Sequence, residues 1–407
     1  MRSRHMGPDS GRRPEAASQA ASDREACFEV GDDFRRFSQK DDVFCRSFWD
    51  PEVRSDRSDM FYETYRTPRM TWRSADGFTQ RDYALRNASW HVTDIFAELR
   101  ADADRREGFL DPYTAVREGP GSAVEVASPE EMAREVKHAA RTLGADLVGI
   151  TGYDERWTYT HAYSRETETE KPQEVTGELE NVVVIAQSMD RELLRTAPSA
   201  LSGAATGATY SRDTIVLLAI AQYITNLGYR AVASMNDAAL AIPLAIKAGL
   251  GEYGRHGLLI TREFGPRVRL GKVFTDMPLA HDRPVRFGVR EMCEVCRACT
   301  EACPARAIAG GEPSTHVHNR SNIQGIRKWT TDAEKCFRFW ANQNTDCAIC
   351  VRVCPYNRTY DNWPSRVWRW VSGTRLRRLA LWLDRISGRG RRLAPRRWWN
   401  AARSRYL

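Results

Sequence analysis

The chain has 407 residues, 42% hydrophobic and 28% charged, so it is too long for a bare ferredoxin and long enough to bury a large catalytic core. Its net charge of +8 is concentrated at one end: Arg366 to Leu407 contains thirteen arginines and one aspartate, a balance of +12, and the rest sums to −4. These values exclude a basic, nucleic-acid-binding surface that extends over the whole chain. The lack of any run of eighteen apolar residues argues against a membrane span.

The N-terminal part predicts little regular structure. Residues 1–33 are predicted to be disordered, because the stretch to Glu25 is rich in Ala, Ser, Arg and Glu. Residues 34–125 are rich in aromatic and charged side chains with patchy periodicity, which predicts an irregular wrapping segment. Arg35 and Arg36 superficially resemble a twin-arginine export signal, but DDVFCRSFWD follows where an apolar segment is required. The sequence therefore predicts a cytoplasmic protein.

Residues 126–287 alternate between helix and strand patterns, which predicts a layered α/β core. Helical spacing from Glu130 to Leu143 precedes the strand pattern DLVGIT, and NVVVIAQ forms a second strand pattern. The remaining predicted elements are a helix from Asp213 to Leu227, a strand at RAVASM, a helix from Ala238 to Lys247, and strands around LLIT and RLGKVF.

Four glycines, Gly249, Gly251, Gly254 and Gly257, lie in the stretch AGLGEYGRHGLLITREFG. They precede a strand instead of leading from a strand into a helix, so they do not form a dinucleotide-binding fingerprint. Two interpretations stay open: a tight turn, which the residues alone favour, or backbone that lines a flat, bulky cofactor.

Eight of the ten cysteines form two closely spaced sets within residues 288–362, and only Cys27 and Cys45 lie apart. The first set is Cys293, Cys296, Cys299 and Cys303 before Pro304, and the second is Cys336, Cys347, Cys350 and Cys354 before Pro355. The first has the spacing of bacterial ferredoxins and the second repeats its Cys-Pro ending, so the pattern favours two 4Fe-4S clusters over zinc sites and disulfides.

In the ferredoxin pattern, the cysteine before the proline reaches the other cluster. Cys293, Cys296 and Cys299 are therefore predicted to share a cluster with Cys354, and Cys336, Cys347 and Cys350 to share one with Cys303. Two adjacent clusters carry single electrons at low potential, so an electron acceptor is expected in the upstream core.

Together, the core and the cysteine module resemble the reductive dehalogenase family. The resemblance runs from about RFSQKDDVF to the second Cys-Pro and is most specific in TYSRD, LGYRAVASMNDAALAIP, AGLGEYGRHGLLITREFGPRVRLGKVFTDMPL and the cysteine sets. It implies a nitroreductase-like α/β core that binds cobalamin, a corrinoid, in the base-off form beside a ferredoxin-like module with two 4Fe-4S clusters. It also implies corrinoid contacts at Gly251, Gly254, Arg255 and His256, without a cobalt-ligating histidine.

The same resemblance implies three catalytic residues. Tyr210 in TYSRD corresponds to the proton donor near a helix start, Arg269 to a cation that stabilises the phenolate, and Asn236 to a polar residue that shapes the substrate site. Without the resemblance, the three residues would be interpreted as an ordinary helix-start tyrosine, a strand-surface charge and a helix cap.

The implied reaction replaces halogen by hydrogen in an organohalide, such as a halophenol, with Co(I) corrinoid and electrons delivered through the clusters. The apparent lack of an export signal and of a fused reductase domain implies a catabolic enzyme that receives electrons from a separate ferredoxin, flavodoxin or reductase. Two alternatives stay open: an epoxyqueuosine reductase-like corrinoid enzyme acting on tRNA, and a non-catalytic electron carrier. Neither the substrate nor the oligomeric state is predicted.

The basic, Trp-rich tail, residues 363–407, predicts a short amphipathic helix. Its apolar positions are Leu376, Leu379, Leu383 and Ile386. Packing over the core, docking of an acidic electron donor and binding to an anionic membrane surface are three possible roles. We favour packing combined with donor docking, because exposed tryptophans are unfavourable in water.

Overall fold

The computed structural model of the chain describes residues 23, 26, 28–65 and 75–406, with side chains as far as residue 401. Most of the stretch predicted to be disordered lies outside the described residues, as does Cys27. Residues 28–33 of that stretch are ordered, because Val30 forms a backbone bridge with Ile326 and Phe28 packs edge-on against Trp157. The predicted boundary at residue 33 is therefore too late.

In its described residues, 34–65 and 75–125, the segment predicted to be an irregular wrap contains three α-helices: α1 (Val43–Trp49), α2 (Asp56–Glu63) and α3 (Gln80–Glu98). Polar side chains cap the N-termini of these helices. Asp42 accepts the Phe44 N–H at the start of α1, and Ser55 and Ser58 form a reciprocal capping box at the start of α2. The prediction of irregular structure was wrong because the apolar faces of these helices are interrupted by charges, and packing against the core compensates for the weak periodicity.

The remaining helices are α4 (Pro129–Thr142), α5 (Arg191–Arg195), α6 (Ala200–Asn226), α7 (Ala241–Lys247), α8 (Val289–Val295), α9 (Ala298–Ala302), α10 (Ala333–Gln343), α11 (Ile349–Val353), α12 (Trp363–Ser372), α13 (Arg377–Ser387) and α14 (Pro395–Tyr406). The strands are β1 (Leu147–Gly152), β2 (His161–Tyr163), β3 (Glu170–Pro172), β4 (Asn181–Ser188), β5 (Ala231–Ser234), β6 (Glu252–Tyr253), β7 (Leu259–Ile260) and β8 (Val268–Thr275). Within the described part of the chain, no helix combines the length and the apolarity needed to cross a bilayer.

An antiparallel sheet with the strand order β1-β4-β8-β5 forms the centre of the core. The continuous apolar run in β4 reflects burial on both faces of this sheet: Val183 and Ile185 face one hydrophobic core, and Val182 and Val184 face the other. Helices α4 and α6 cover the first face and α7 covers the second. The predicted layered α/β core is confirmed.

Helix α6 begins at Ala200, thirteen residues before the predicted start at Asp213. The sequence between them, ALSGAATGATYSR, interrupts its four alanines with two glycines and four Ser or Thr residues, which weaken its intrinsic preference for a helix. Tertiary packing explains the difference, because a Cβ atom at Gly207 would lie 2.3 Å from a ring carbon of Trp90 on α3. The glycine lets the two helices approach closely.

The cysteine module packs against the core through a loop between β7 and β8. Gly265 in this loop has φ of +59°, and a Cβ atom there would lie 2.2 Å from the carbonyl oxygen of Tyr356, two residues after Cys354. The loop and the backbone that follows the second cysteine set therefore touch without any intervening side chain.

Replacing Gly265 with alanine should destabilise the protein by about 2–3 kcal/mol, because the side chain strains a left-handed backbone and collides with a neighbouring carbonyl. Anaerobic unfolding in guanidinium chloride measures the loss. Gly311→Ala is the control, since its φ is not positive and no atom lies within 4 Å of the position that the added methyl group would occupy. Equal stability of the two variants would contradict this description of the interface.

Candidate active site and cysteine module

The hydroxyl of Tyr210 lies at the centre of a polar cluster on the core. Tyr210 is 6% exposed and occupies the middle of α6, not its start as predicted. Asn236, directly after β5, donates a hydrogen bond from Nδ2 to the Tyr210 Oη at 2.7 Å. Arg269 on β8 donates a second hydrogen bond to the same oxygen. The structure therefore brings together all three residues that the sequence predicted as catalytic.

The Arg269 guanidinium also lies against the Tyr210 ring, 4.3 Å from its centroid. Burial lowers the pKa of Arg269 to about 10, which still leaves the side chain positively charged at neutral pH. No carboxylate among the described residues forms an ion pair with it, and its Nε has no hydrogen-bond partner there. The positive charge lies next to the phenol oxygen, where it favours loss of the proton, and Asp346 is also within electrostatic reach of it.

Aromatic side chains from the N-terminal part enclose the tyrosine ring. The Trp90 ring centroid on α3 is 5.0 Å from that of Tyr210, and the Phe109 centroid is 5.6 Å from it. Neither residue was predicted from the sequence, where the aromatic richness of residues 34–125 was the available signal. These rings lower the local polarity around the phenol, which strengthens its interaction with Arg269.

A buried lysine, also missed from the sequence, holds the loop that carries Asn236. The fully buried Lys272 on β8 donates to the carbonyl oxygens of Met235 and Ala239, and Asp237 accepts the Met235 N–H at 2.7 Å. Burial lowers the pKa of Lys272 to about 8 and raises the pKa of Asp237 to about 6. The lysine lies within a strand that is otherwise largely apolar. Its departure from that apolar pattern was the only feature of the sequence that could have indicated a role for it.

Replacing Lys272 with methionine should destabilise the protein by about 3–5 kcal/mol, because it leaves Asp237 buried without a nearby cation. It should also lower the turnover of the reaction proposed below by about tenfold or more, because the position of Asn236 is no longer fixed. Guanidinium unfolding and kcat measure the two effects.

Lys247→Met is the matched control for this variant. Lys247 is 8% exposed and pairs with the buried Asp154 at 3.0 Å, but it lies on α7 away from the tyrosine cluster. It should reduce stability and leave kcat unchanged. If both variants lose kcat in proportion to stability, Lys272 has no positioning role.

Electrostatic interactions among the buried thiols support the two groups that the sequence predicts, and the assignment of each cysteine to a cluster stays a prediction. The thiol of Cys354 is within electrostatic reach of Cys293, Cys296 and Cys299. The thiols of Cys336, Cys347, Cys350 and Cys303 influence one another in the same way. Cys350 is also close enough to Cys299 for their charges to interact, so the two groups are adjacent. None of these eight cysteines forms a disulfide.

Burial and mutual repulsion raise the pKa of Cys293, Cys299, Cys336 and Cys347 to about 12. Without metal, the grouped thiols therefore stay protonated. Four sulfur ligands in a largely buried, apolar environment are the donor set that iron–sulfur clusters use, and metal binding would remove the protons. The described residues thus fit two 4Fe-4S clusters. Cys45, the ninth described cysteine, is buried on its own in the core.

The glycine segment connects the core to the cysteine module. Arg255 is 1% exposed; its guanidinium donates to the carbonyls of Cys293, Ala309 and Gly311, and its backbone N–H points at the Cys293 sulfur at 3.5 Å. Most of its donors are thus engaged by the cysteine module. The predicted contact between Arg255 and a corrinoid is not tested by this geometry.

The other three predicted corrinoid contacts are buried in the same segment. Cβ atoms at Gly251 and Gly254 would collide with Ile260, so close packing explains both glycines. His256 is 6% exposed, and burial lowers its pKa to about 4, which keeps the imidazole neutral. Its Nε2 has no hydrogen-bond partner in the described structure. That orphaned buried atom is compatible with a ligand beside the segment.

A cleft lies between α7, the glycine segment and residues 313–329, with about 1170 Å³ of atom-free space including its mouth. Trp157, Ile246, Tyr253 and Trp329 give it mainly apolar walls, and Gly257 contributes backbone. The Lys328 side chain also lines the cleft; burial lowers its pKa to about 8. Apolar walls with a cationic side chain are compatible with an organic ligand that carries an anionic group.

Two segments of the chain match known family models. Residues 170–279 match the model described as reductive dehalogenase subunit, and residues 292–357 match the 4Fe-4S double cluster binding domain. The first covers β3 to the loop after β8, with Tyr210, Asn236 and Arg269. The second covers all eight cysteines. Both the polar cluster around Tyr210 and the cysteine module therefore lie in segments with known relatives.

The tetrachloroethene reductive dehalogenase of Desulfitobacterium hafniense is 38% identical over 270 residues, which are 57% of this chain and 49% of that protein. The chain thus spans about half the length of the curated relatives it matches. Two solved structures have a TM-score of 0.70 and 22% identity, over 91% of this chain and 49% of theirs. One is the catabolic reductive dehalogenase NpRdhA with 3-bromo-4-hydroxybenzoic acid, and the other is described as suggesting a mechanism for B12-dependent dehalogenation. They show that the fold is shared.

Proposed function

This chain belongs to the corrinoid and iron–sulfur reductive dehalogenase family, and we propose that it replaces halogen by hydrogen in an organohalide, with a haloaromatic such as a halophenol as substrate. The observation that carries the proposal is the Tyr210 hydroxyl held between Asn236 and Arg269. The overall reaction takes two electrons and one proton, breaks the carbon–halogen bond, forms a carbon–hydrogen bond and releases halide.

Tyr210 holds the proton that carbon receives. An unperturbed phenol has a pKa of about 10, too high for easy donation, so the phenolate that remains must be stabilised. Arg269 provides a positive charge at the oxygen, and Asn236 keeps the hydroxyl oriented by its amide. Trp90 and Phe109 limit access of water to the ring.

The cofactors would lie on either side of the glycine segment. The cleft lined by Tyr253, Gly257, Lys328 and Trp329 would hold one part of cobalamin, and the free Nε2 of His256 lies in the same glycine segment. Because Tyr210 belongs to the core on the other face of the sheet, the reacting part of the cofactor would extend beyond this cleft. When bound, a reduced corrinoid supplies a strongly reducing cobalt centre for cleavage of the carbon–halogen bond. The cysteine groups hold the clusters, and Arg255 keeps the first group against the core.

The choice of a haloaromatic substrate rests on the aromatic surroundings of Tyr210 and on the bromohydroxybenzoate bound to the structural neighbour. Curated relatives with higher identity act on tetrachloroethene, so both classes must be compared. A cytoplasmic location and the division into five segments stay predictions.

The test is anaerobic reconstitution with cobalamin, iron and sulfide, followed by halide release from bromophenols, chlorophenols and tetrachloroethene with reduced methyl viologen as donor. We expect bromophenols to release bromide fastest. Faster chloride release from tetrachloroethene would overturn the substrate class but keep the reaction. Stoichiometric cobalamin without halide release would favour the epoxide-reducing alternative, and failure to bind cobalamin would favour the electron carrier.

A further inference from the structure

We propose that the outward face of α12 and α13 is the docking site for an acidic protein that donates single electrons to the cluster held by Cys293, Cys296, Cys299 and Cys354. This inference rests on the proposed function, because it requires clusters that accept electrons from outside. The docking face consists of the exposed apolar residues Trp363, Val367, Trp370, Leu376, Leu379, Trp382, Leu383 and Ile386.

The docking face is unusually apolar for a surface in contact with water. Trp363, Trp370 and Trp382 are 74%, 72% and 56% exposed. On each helix the exposed apolar residues recur at helical spacing, so they form a stripe opposite the buried side, and the two helices pack against each other. Adjoining apolar stripes of this size mark interaction surfaces. The predicted packing of the tail over the core thus accounts for only one side of these helices.

Unpaired positive charge adjoins the docking face. Arg262, Arg366 and Arg369 line an open groove beside Trp370, together with Arg286 and Glu291, which pair with each other. The hydrogen bonds of the first three arginines go to backbone carbonyls, and no carboxylate within the described residues forms an ion pair with any of the three. Arg375, just before α13, and Arg378, in its first turn, are also exposed. An acidic partner would neutralise this charge, so the surface is complementary to an acidic protein.

The buried side of the same helices covers the first cysteine group. Trp368, Ala380 and Leu381 belong to the hydrophobic cluster that contains Cys293, Cys296 and Cys354. Arg385 on α13 is within electrostatic reach of Cys296. One layer of helices therefore separates the docking face from these cysteines. Because electron transfer slows steeply with distance, a donor bound here would be well placed to reduce that cluster.

The concave shape of the groove favours a protein over a membrane as the occupant of the docking face. A bilayer presents a flat surface, which would contact the tryptophans and leave a concave groove unfilled. A protein can insert an acidic side chain or loop between Arg366 and Arg369 while its apolar surface covers Trp370. Exposed tryptophan and arginine side chains are also the residues that dominate protein interfaces.

The experiment measures reduction of the clusters in the full chain, without corrinoid or organohalide. Flavodoxin hydroquinone, a small acidic one-electron donor, is mixed with the oxidised protein, and bleaching of the cluster absorbance is followed by stopped flow. Two variants alter the docking face, Trp370→Ser with Trp382→Ser and Arg375→Glu with Arg378→Glu. Arg57→Glu with Arg141→Glu is the matched control, because both arginines are exposed elsewhere.

We expect the second-order rate constant at low ionic strength to fall by about tenfold or more in both docking-face variants and to stay within about twofold in the control. Reduction by methyl viologen radical should change by less than about twofold in all of them. Such a result would stand even if no halide were released, so it separates this inference from the proposed function. Unchanged reduction by flavodoxin would overturn the proposal.

Two further outcomes would assign the docking face to another occupant. Wild-type protein that sediments with vesicles containing phosphatidylserine, with flavodoxin reduction unaffected by the variants, would overturn the proposal in favour of a membrane surface. A dimer in sedimentation velocity that both variants abolish, again with unaffected reduction, would assign the face to a second copy of the chain.

Discussion

Replacing Tyr210 with phenylalanine should lower the rate of halide release by about 10²- to 10⁴-fold, the range expected when a general acid is lost. The change removes one oxygen atom and keeps the ring between Trp90 and Phe109, so the packing of α6 should be preserved. Reduction of the clusters should be unaffected, because the phenol is not part of the cysteine module. Initial rates of halide release with saturating reductant measure the effect.

Tyr223→Phe is the control on the same helix. Tyr223 is partly buried against the same hydrophobic core, but its hydroxyl does not contact Asn236 or Arg269. It should retain almost full activity. Activity of Tyr210→Phe above about a tenth of wild type would show that the proton reaches carbon by another route, such as ordered water.

Substituting a single cysteine of either group should remove one cluster and abolish dehalogenation driven by an external donor. Cys354→Ala and Cys303→Ala should each reduce the bound iron from about eight to about four atoms per chain, because each cluster loses one of four ligands. Iron and sulfide analysis after anaerobic reconstitution measures the loss. Cys45→Ala is the control, since Cys45 is free, buried and remote from both groups.

Double substitutions test how the two sets are paired. If Cys354 shares its cluster with Cys293, the variant that lacks both should keep about four iron atoms, whereas the variant that lacks Cys354 and Cys336 should keep almost none. If each cysteine set instead formed its own cluster, Cys293 and Cys354 would belong to different clusters. The variant that lacks both would then keep almost no iron, and the variant that lacks Cys354 and Cys336 would keep about four atoms. The electrostatic contacts of the Cys354 thiol favour the first result.

The residues of the candidate site could be predicted from the sequence more accurately than the secondary structure around them. The cysteine spacing is determined by ligand geometry, which is local, so the sequence alone leads to two 4Fe-4S clusters, and the match to the double cluster binding domain supports them. Tyr210, Asn236 and Arg269 lie on three different elements, and only the resemblance to a family placed them together. The structure now gives that prediction a physical basis, because the Tyr210 hydroxyl accepts a hydrogen bond from each of the other two.

The features that were missed depend on contacts between distant segments. The helical start at Ala200 depends on Gly207 meeting Trp90 of α3, and no local pattern reports that contact. The role of Lys272 depends on two carbonyls from the loop after β5. Arg255 uses most of its donors on the cysteine module, a role that was not predicted beside its expected contact with a corrinoid. In each case tertiary packing overrides local preference.

The most direct test of dehalogenation with proton transfer is a single measurement on the reconstituted wild-type enzyme in D₂O. A bromophenol is reduced, and bromide and product are quantified together by ion chromatography and mass spectrometry. We predict one bromide per product molecule and one deuterium on the carbon that carried bromine. An enzyme with cobalamin and both clusters in place that releases no bromide, or yields product without deuterium, would contradict the account.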